Sequence, residues 1–328
     1  MATLVDIAER AEVAISTVSK YFNGGSVREA NRKKIEKALT EIEYQPNLVA
    51  RSLKTKKSNV FGILLPNLQS SFDVNLVTSM TNEIYKRNCA AILVLYENNT
   101  EKEKTMLRFL RDKQVDGVIL LPSGVIHQEF QDFQKPGKKL VLVDRPLVGV
   151  NASSVLTDNY TVTYDAIVTM IKRGHRNIAI MTNDAVFTGK ERLSAYRNAL
   201  EDNGIPLNES YIKCSFWSIA DGRALMSAIL DECPEVTALI VCSEEFAIGA
   251  YQVLRERNVS IPDRMSVVSF DLYGISMITN PEISSIQQPL SEMGRKAVDL
   301  LFEEDGIAKE YIFPSSLTSM TSIKDMKS

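Results

Sequence analysis

From residue 59 onward, short apolar runs alternate with longer segments of helical periodicity, and this alternation constrains the fold most strongly. The apolar runs are 60–65, 90–96, 117–121, 140–143, 178–181, 238–242 and 266–270. The helix-like stretches between them are 73–87, 101–113, 160–173, 189–203 and 245–257. Continuous apolar strands separated by helices are typical of parallel sheets covered on both faces. So many units predict two doubly wound lobes, with a barrel as the competing architecture.

Polar side chains follow several of these apolar runs, at the ends where open α/β folds bind ligands. The segments are 67–73, Asp144-Arg145, Thr182-Asn183, Ser243-Glu244 and Asp271. Each buried polar group of a ligand needs a hydrogen-bond partner, so these side chains suit a small molecule with many hydroxyls. The sequence therefore predicts a binding site to which Asp73, Arg145, Ser243 and Glu244 contribute.

Residues 1–46 have a different pattern, that of three short helices. Thr3 is the predicted N-cap of the first helix, and Asp6 stands at the capping-box position. Apolar residues with helical spacing form one face of the first and third helices: Leu4, Ile7, Ala8 and Ala11, then Ile35, Ala38, Leu39 and Ile42. The middle helix offers Val18, Tyr21 and Phe22 to the same core. Its opposite, exposed face carries Ile15, Ser16, Ser19 and Lys20.

Three short helices, the second beginning after a tight turn, fit a helix-turn-helix, whose second helix lies in the DNA major groove. Lys20 can donate to guanine, Ser16 is an adaptable hydrogen-bonding residue, and Ile15 can contact a thymine methyl. The alternative is a small helical domain that binds protein or packs on the rest of the chain. Periodicity alone leaves both interpretations open.

Charge is distributed unevenly along the chain. Residues 1–58 contain eleven Lys or Arg and seven Asp or Glu, a balance of +4, whereas the whole chain of 328 residues carries −3. The remainder therefore carries −7. A basic N-terminal region on an acidic body indicates that only the N-terminal region approaches a polyanion.

Several classes of protein lack their sequence signals here. No apolar run approaches the ~20 residues of a membrane span and no signal peptide is visible, so a cytoplasmic protein without a membrane partner is expected. The four cysteines are widely spaced and the two histidines are isolated, which predicts reduced core cysteines and no metal or other cofactor. An enzyme is not expected, because phosphate-binding loops, dinucleotide fingerprints and Ser/His/Asp arrangements are missing.

A series of short motifs runs through the first 53 residues: Thr3-Leu4-Val5-Asp6-Ile7-Ala8, Val13, Thr17-Val18-Ser19-Lys20, Asn23, Tyr44-Gln45-Pro46-Asn47 and Ala50-Arg51-Ser52-Leu53. In order and spacing they closely resemble the lac-repressor/gal-repressor family of bacterial transcription regulators. By this resemblance Ile15, Ser16 and Lys20 read bases. Phosphate contacts, which position such a head, are implied for Thr17, Ser19, Asn23 and Asn31. The resemblance also implies DNA-binding roles for Thr3, Leu4, Tyr44, Asn47, Ala50 and Leu53.

Two positions depart from the family pattern. Glu12 stands in the turn where glycine is usual, so Glu12 must adopt an uncomfortable backbone conformation or alter the turn. Ala14 stands where the second helix usually has a serine N-cap, and a missing cap typically costs ~1 kcal/mol. A head of marginal stability is expected.

Residues 47–58 are a basic linker with little apolar content. The simple interpretation is a solvated connection. The resemblance implies a hinge helix that folds when a dimer binds its operator, with Leu53 wedged into the minor groove. Leu53→Ala is then expected to weaken specific DNA binding strongly while leaving nonspecific binding nearly intact.

The similarity extends over essentially the whole chain and implies the two-lobed arrangement of periplasmic sugar-binding proteins. The expected fold class is an N-terminal three-helix helix-turn-helix head plus an α/β two-lobed core with parallel sheets. The predicted domains are the head at 1–46, the linker at 47–58 and an effector-binding and dimerisation core at 59–328. Within the core, the predicted lobes comprise about 59–157 with 288–314, and about 158–287 with 315–328.

Family matching assigns effector-binding roles to Arg192, Asp271, Trp217 and Phe72. A guanidinium, a carboxylate and a flat aromatic ring can together grip a sugar by hydrogen bonds and stacking. The competing interpretations are a structural Arg192–Asp271 ion pair and a core position for Trp217. Several cleft residues depart from the family pattern, and the negative charge of Asp73 and Glu244 favours a neutral sugar over a sugar phosphate.

The leading hypothesis is a homodimeric regulator, a repressor in the commoner mode of the family, that binds a pseudopalindromic operator. Its affinity would change when a small molecule, expected to be a sugar, closes the cleft. One family branch instead uses a phosphorylated carrier protein as corepressor. Here Ser291 and Asp299 stand where that branch has an aromatic and an arginine, and Asp299 would repel a phosphate. A sugar-binding protein without a DNA role is the remaining alternative.

Overall fold

The computed structural model describes residues 3–22, 25–42, 57–303 and 307–327, which belong to two compact units, Met1–Ser58 and Asn59–Ser328. The first unit, here called the head, contains α1 (Leu4–Arg10), α2 (Ile15–Phe22) and α3 (Glu29–Glu41). The apolar faces of these helices meet in a small core formed by Ile7, Ala8, Ala11, Val18, Ile35 and Ala38. Tyr21 and Phe22 pack half-buried against it. The predicted three-helix head is therefore confirmed.

The local sequence explains how the first turn of the head is built. Thr3 Oγ1 accepts a hydrogen bond from the Asp6 amide at 3.4 Å, and the Thr3 amide donates to Asp6 Oδ2 at 2.6 Å, which is the predicted capping box. Glu12 has a φ of 51°, in the left-handed region that glycine adopts at no steric cost. The predicted uncomfortable turn is therefore present.

The second unit contains two six-stranded sheets of similar order. The strands of the first sheet are ordered β11-β5-β4-β3-β1-β2, where the strands are β1 (Val60–Leu65), β2 (Ala90–Leu95), β3 (Gly117–Leu120), β4 (Lys139–Val143), β5 (Ser153–Thr157) and β11 (Glu310–Phe313). The second sheet has the order β12-β10-β9-β8-β6-β7, with β6 (Ile178–Thr182), β7 (Ile212–Cys214), β8 (Ala238–Val241), β9 (Ser266–Phe270), β10 (Ser284–Gln287) and β12 (Ser316–Leu317). Within the described residues, every strand pair is parallel except β10 with β12.

Helices cover both faces of each sheet. The helices of this unit are α4 (Ser71–Lys86), α5 (Thr100–Asp112), α6 (Asn159–Lys172), α7 (Phe187–Asp202), α8 (Ile219–Glu232), α9 (Glu244–Glu256) and α10 (Leu290–Phe302), with short 3-10 turns at Gln128–Phe133, Glu209–Tyr211 and Ser276–Ile278. Helices α4 and α10 pack on one face of the first sheet and α5 on the other, forming lobe 1. Helices α8 and α9 cover one face of the second sheet, and α6 and α7 the other, forming lobe 2. These layers confirm two doubly wound lobes and exclude the barrel.

The chain passes between the lobes three times, after β5, after β10 and between β11 and β12. Because each lobe is built from separate segments, residues that are distant in sequence meet at the junction of the lobes. Thr157, which ends β5, donates from its hydroxyl to Gln288 Oε1 at 2.7 Å, across 131 positions of sequence. This connectivity places polar side chains from several strand ends around one space.

The cysteines differ in their surroundings. Cys233 and Cys242 are buried, Cys89 is half-buried, and all four are free thiols. Cys214 is exposed, so the prediction of a core position is wrong there, because this residue ends β7, an edge strand of its sheet. Across the part of the chain that the structure describes, no helix is both long and apolar enough to cross a membrane.

Candidate functional site

A cleft of about 270 Å³ lies where the carboxyl ends of the two sheets face each other. Its volume is of the order expected for one small ligand. Polar side chains from both lobes line it, together with three aromatic residues, Phe72, Phe216 and Trp217. The cleft brings together all eight residues that the sequence predicted for ligand binding: Phe72, Asp73, Arg145, Arg192, Trp217, Ser243, Glu244 and Asp271.

Arg192 of α7 is the most tightly held cation of the cleft. Its side chain is only 3% exposed. Nε donates to Asn159 Oδ1 at 2.8 Å and Nη1 to the Cys242 carbonyl at 2.5 Å, while the guanidinium lies 3.6 Å from the centroid of the Phe270 ring. The start of α7 can approach β6 because residue 189 is glycine, where a Cβ would lie 1.9 Å from the Asn183 carbonyl oxygen. Contacts within the protein thus fix the position of the Arg192 guanidinium.

Asp271 follows β9 and is held by neutral donors. Gln288 Nε2 donates to both carboxylate oxygens at 3.1 Å, and the Tyr273 hydroxyl donates to Oδ1 at 3.1 Å. Burial raises the pKa of Asp271 to about 6, although the charge of Arg192 partly offsets this effect. Within the described residues no ion pair joins Asp271 to Arg192, so the structural ion pair considered from the sequence is absent.

Lobe 1 contributes Asp144 and Arg145 from the turn after β4. Arg145 Nε lies 3.1 Å from Asp144 Oδ2, and Nη1 donates to the Pro122 carbonyl at 3.4 Å. The Arg145 guanidinium also lies 5.7 Å from the ring centroid of Trp217 in lobe 2. Asp144 has a φ of 69° and Asp271 a φ of 63°. Both carboxylates therefore follow a strand in a left-handed conformation, a feature that occurs preferentially at functional sites.

Glu244 joins the two lobes directly. Its carboxylate accepts from the Ser71 amide at 2.5 Å and from the Ser71 hydroxyl at 2.8 Å, at the first residue of α4. A carboxylate at a helix N-terminus is favoured by unsatisfied amides and by the helix dipole. The neighbouring Ser243 caps α9, since its hydroxyl accepts from the Phe246 amide at 3.2 Å. Phe72 lines the cleft but also packs into the core of lobe 1.

Asp73, in the first turn of α4, has few favourable partners. Its carboxylate accepts from the Ser70 hydroxyl at 2.7 Å, and the side chain is almost buried. Burial raises the pKa of Asp73 to about 7, helped by the negative charges of Glu245 and Asp144. Arg145 opposes that rise only in part.

Several residues that shape the cleft were not predicted from the sequence. Asn159 and Gln288 hold the key arginine and carboxylate, and Thr188 and Glu245 line the cleft wall. Asn159 and Gln288 lie just after β5 and β10, so the rule that ligands bind beyond strand ends would have found both. Those strands were missed because 153–157 and 284–287 are short and rich in serine.

In the head, the predicted base-reading residues share an exposed surface. Ile15, Ser16 and Lys20 are exposed on α2, with Ile15 50% exposed. Thr17, Ser19 and Asn31 are half-buried, Leu4 packs against the head core, and Thr3 uses its hydroxyl in the capping box. The remaining predicted DNA-binding residues lie outside the described residues: Asn23, Tyr44, Asn47, Ala50 and Leu53.

The stem of Lys20 lies against Gly25, where a Cβ would come within 2.6 Å of Lys20 Cγ.

Among the residues described in the two units, no group of three or more His, Cys, Asp or Glu is arranged to hold a metal ion. The head therefore offers an apolar, a hydroxyl and a cationic side chain on one helix, while the core offers a polar cleft without a metal centre of its own.

A helix-turn-helix and a two-lobed ligand-binding core in one chain define a class of DNA-binding regulators. Residues 58–314 match the family described as periplasmic binding proteins and sugar binding domain of LacI family, and residues 3–47 match bacterial regulatory proteins, lacI family. The chain belongs to the lacI family of bacterial regulatory proteins.

Individual proteins agree with this assignment. Catabolite control protein A of Priestia megaterium is 29% identical over 304 residues, which cover 91% of each chain. The structure of the transcriptional regulator CelR–cellobiose complex has a TM-score of 0.73 at 25% identity, covering 98% of this chain and 100% of that one. The lac repressor dimer bound to operator and the anti-inducer ONPF matches in fold with a TM-score of 0.87 at 24% identity, covering 98% and 99% of the respective chains.

Proposed function

We propose that this lacI-family regulator binds a pseudopalindromic operator as a homodimer and acts as a repressor whose operator affinity changes when a sugar binds between lobes 1 and 2. The observation that carries this proposal is the arrangement of the cleft, in which Arg192 and Asp271 are fixed by separate partners beside Trp217. A fixed guanidinium, a fixed carboxylate and an aromatic face suit the hydroxyls and the ring of a sugar. The head supplies the surface for DNA.

The DNA-binding surface is proposed to centre on α2. Ile15, Ser16 and Lys20 read base edges, since their exposed side chains provide a methyl contact, an adaptable hydroxyl and a cation. Contacts from the neighbouring residues fix the register on the phosphate backbone. The phosphate-contacting set comprises Thr17, Ser19, Asn23 and Asn31, and the further DNA-binding residues are Thr3, Leu4, Tyr44, Asn47 and Ala50. Leu53 is the proposed minor-groove wedge of a hinge formed by residues 47–58.

Effector control is proposed to act through the closure of the two lobes, taken as 59–157 with 288–314 and 158–287 with 315–328. The contact between Glu244 of lobe 2 and Ser71 of lobe 1 joins the two lobes through protein groups alone, so it favours their closure. A ligand that binds the closed cleft better than the open one shifts this balance and changes operator affinity, typically by a coupling of ~1 to 3 kcal/mol.

A sugar effector is supported by the similarity to a regulator whose structure is a cellobiose complex. The cleft can hold such a ligand by binding contacts alone, so we infer a regulator rather than an enzyme, with no cofactor. A regulator of this kind acts on the bacterial chromosome, in the cytoplasm. Turnover of a carbohydrate panel by the purified protein would contradict the inference that the chain is not an enzyme.

A corepressor role for a phosphorylated carrier protein is the second candidate, because catabolite control protein A is a relative. The side chains on α10 argue against this corepressor role. The Asp299 carboxylate is paired with the Arg87 guanidinium, and the Ser291 carbonyl accepts from the Ser79 hydroxyl. Asp299 therefore presents a negative charge and also occupies the nearby arginine, which leaves α10 poorly suited to a phosphate.

The test is selection of genomic fragments by the purified full-length protein at near-physiological salt, which suppresses nonspecific electrostatic binding. We expect enrichment of a palindrome with half-sites about one helical turn apart. Repeating the selection with carbohydrates should reduce or increase recovery of that palindrome. Failure to enrich any sequence, with the protein folded and dimeric and with carbohydrates and a phosphorylated carrier protein supplied in turn, would contradict the proposal.

A further inference from the structure

The charges that line the cleft do not balance. Five carboxylates contribute to its wall: Asp73, Asp144, Glu244, Glu245 and Asp271. The cationic side chains of the wall are the guanidinium groups of Arg145 and Arg192. The formal balance of the wall is therefore two positive charges against five negative ones. Burying a charge without a partner is costly, so the excess needs an explanation.

Three of the carboxylates have favourable partners within the protein. Asp144 is paired with Arg145 at 3.1 Å. Glu244 sits at the N-terminus of α4 and accepts two hydrogen bonds from Ser71. Asp271 accepts from Gln288 and Tyr273 and feels the positive charge of Arg192. The Arg145 guanidinium is thus paired with Asp144, and the Arg192 guanidinium is held by Asn159 and the Cys242 carbonyl.

The other two carboxylates, Asp73 and Glu245, come one from each lobe and have serine hydroxyls as hydrogen-bond partners, Ser70 and Ser243, but no cation. Neither forms an ion pair with any of the described residues. Both line the same cleft, and the negative charge of Glu245 contributes to the raised pKa of Asp73. Asp73 is 8% exposed, Glu245 is half-buried, and burial raises the pKa of both carboxyl groups. Two carboxylates facing one cleft from opposite lobes form a natural site for a positive charge.

A second feature of the same wall also points to a ligand. The Thr188 hydroxyl is buried without a hydrogen-bond partner among the described residues, and the side chain is only 1% exposed. The Trp217 Nε1 donor is likewise buried without a partner in that set. An unpaired buried donor or acceptor costs ~1 to 3 kcal/mol, which a ligand bearing hydroxyls or ether oxygens would recover.

We infer that the effector of this cleft is an amino sugar, whose protonated amine lies between Asp73 and Glu245 while its hydroxyls and ring contact Thr188 and Trp217. This inference rests on the proposed function, because it names the chemical class of the effector at the same site. An amino sugar replaces the neutral sugar that the sequence favoured. That expectation took no account of the contacts that pair Arg145 with Asp144 and Glu244 with Ser71. A charge-assisted hydrogen bond in a partly desolvated cleft contributes more than a neutral one.

A divalent metal ion is the competing source of positive charge. Hard cations such as Ca²⁺ take six or more oxygen ligands. In the described part of the chain the residues around Asp73 and Glu245 do not form a three-ligand group. The aromatic face of Trp217 also suits a sugar ring better than a hydrated ion. An ammonium needs only two or three acceptors, and the two carboxylates supply them.

The test compares matched pairs of sugars by titration, with the fluorescence of the single tryptophan, Trp217, and calorimetry as readouts. The pairs are D-glucosamine with D-glucose, D-galactosamine with D-galactose, D-mannosamine with D-mannose, and chitosan disaccharide with cellobiose. EDTA is present throughout, and CaCl₂ is titrated separately. We expect the amine to bind at least about tenfold more tightly than its neutral partner in one or more pairs.

The variants Asp73→Asn and Glu245→Gln keep the size of each side chain and remove its charge. Each should reduce the preference for the amine to about threefold or less, and both together should abolish it. Glu201→Gln removes an exposed carboxylate outside the cleft and should leave the preference unchanged. Melting curves of all variants check that the core remains folded.

Three outcomes would overturn the inference: no amine bound more tightly than its partner in any pair, a preference that survives in the double variant, or Ca²⁺ binding that both variants abolish. Operator binding separates this inference from the proposed function. If neutral sugars but not amino sugars change operator affinity, the proposed function as a regulator is supported and the inference of an amino sugar is wrong. If no operator exists, the titrations still decide whether the cleft selects an amine.

Discussion

The two lobes have the same arrangement of strands, but the charged side chains that line the cleft have more hydrogen-bond partners in lobe 2 than in lobe 1. In lobe 2, Arg192 has two hydrogen-bond acceptors and an aromatic face, and Asp271 has two donors. In lobe 1, Arg145 is paired with its neighbour Asp144, and Asp73 has only the Ser70 hydroxyl. The charged groups at the strand ends therefore have more partners in lobe 2 than Asp73 has in lobe 1. We infer that Arg192 and Asp271 of lobe 2 provide general affinity for a sugar, whereas the amine is selected by Asp73 of lobe 1 together with Glu245 of lobe 2 when the lobes close.

The largest expected effect comes from changing the arginine of each lobe to lysine. Arg192→Lys leaves Asn159 and the Cys242 carbonyl without their guanidinium donors inside lobe 2, so it should lower the free energy of unfolding by about 3 kcal/mol. Arg145→Lys keeps a cation beside Asp144 and should cost about 1 kcal/mol. Denaturant unfolding of the full-length protein measures both values. Equal losses of unfolding free energy in the two variants would contradict this difference between the lobes.

The second prediction concerns Asp73. Its pKa in the folded protein, about 7, lies above the ordinary 3.8, so ionisation between about pH 4 and pH 7 destabilises the folded state. The cost is absent below pH 4 and complete above pH 7. Asp73→Asn should therefore stabilise the protein by about 2 kcal/mol at pH 8 and have little effect at pH 4. Unfolding curves of both proteins at the two pH values provide the measurement, and a benefit that is independent of pH would argue against a strained carboxylate.

The smallest of the three effects concerns the contact between the lobes. Glu244→Gln weakens the two hydrogen bonds from Ser71 and should shift the lobes toward the open arrangement by about 1 kcal/mol. Small-angle scattering of the ligand-free protein should show a larger radius of gyration. Glu245→Gln is the matched control, since the hydrogen bonds that the structure describes from the Ser71 amide and hydroxyl go to Glu244. An unchanged radius in Glu244→Gln would mean that other contacts hold the cleft closed.

The comparison also explains what could be predicted from the sequence. Asp144, Ser243 and Asp271 follow apolar strand runs, and the position of such residues beyond the strand ends is a local property. The head was likewise predictable, because helix caps and apolar faces are set within a few residues. Local pattern therefore identified most of the cleft wall and the exposed face of α2.

The pairing of those groups could not be predicted in the same way. The contact between Glu244 and Ser71 joins residues 173 positions apart, and Gln288 reaches Asp271 from the next strand only after the sheet has formed. The sequence placed Arg192 beside Asp271 as a possible ion pair, whereas the fold gives each of them neutral partners. Which carboxylates remain unpaired depends on these long-range contacts, and so does the inferred ligand class.

We propose that a ligand held by Arg192 and Asp271 of lobe 2 controls the affinity of the head for the operator. The most direct test measures operator affinity of the wild type and of Arg192→Lys, at one salt concentration, with and without the carbohydrate that binds the wild type most tightly. Lysine keeps the charge but cannot reproduce the guanidinium contacts with Asn159 and Cys242. The account predicts that the ligand changes wild-type affinity by about 5- to 150-fold and leaves the variant nearly unchanged, with equal ligand-free affinities. The same ligand response in both proteins, or none in the wild type, would contradict it.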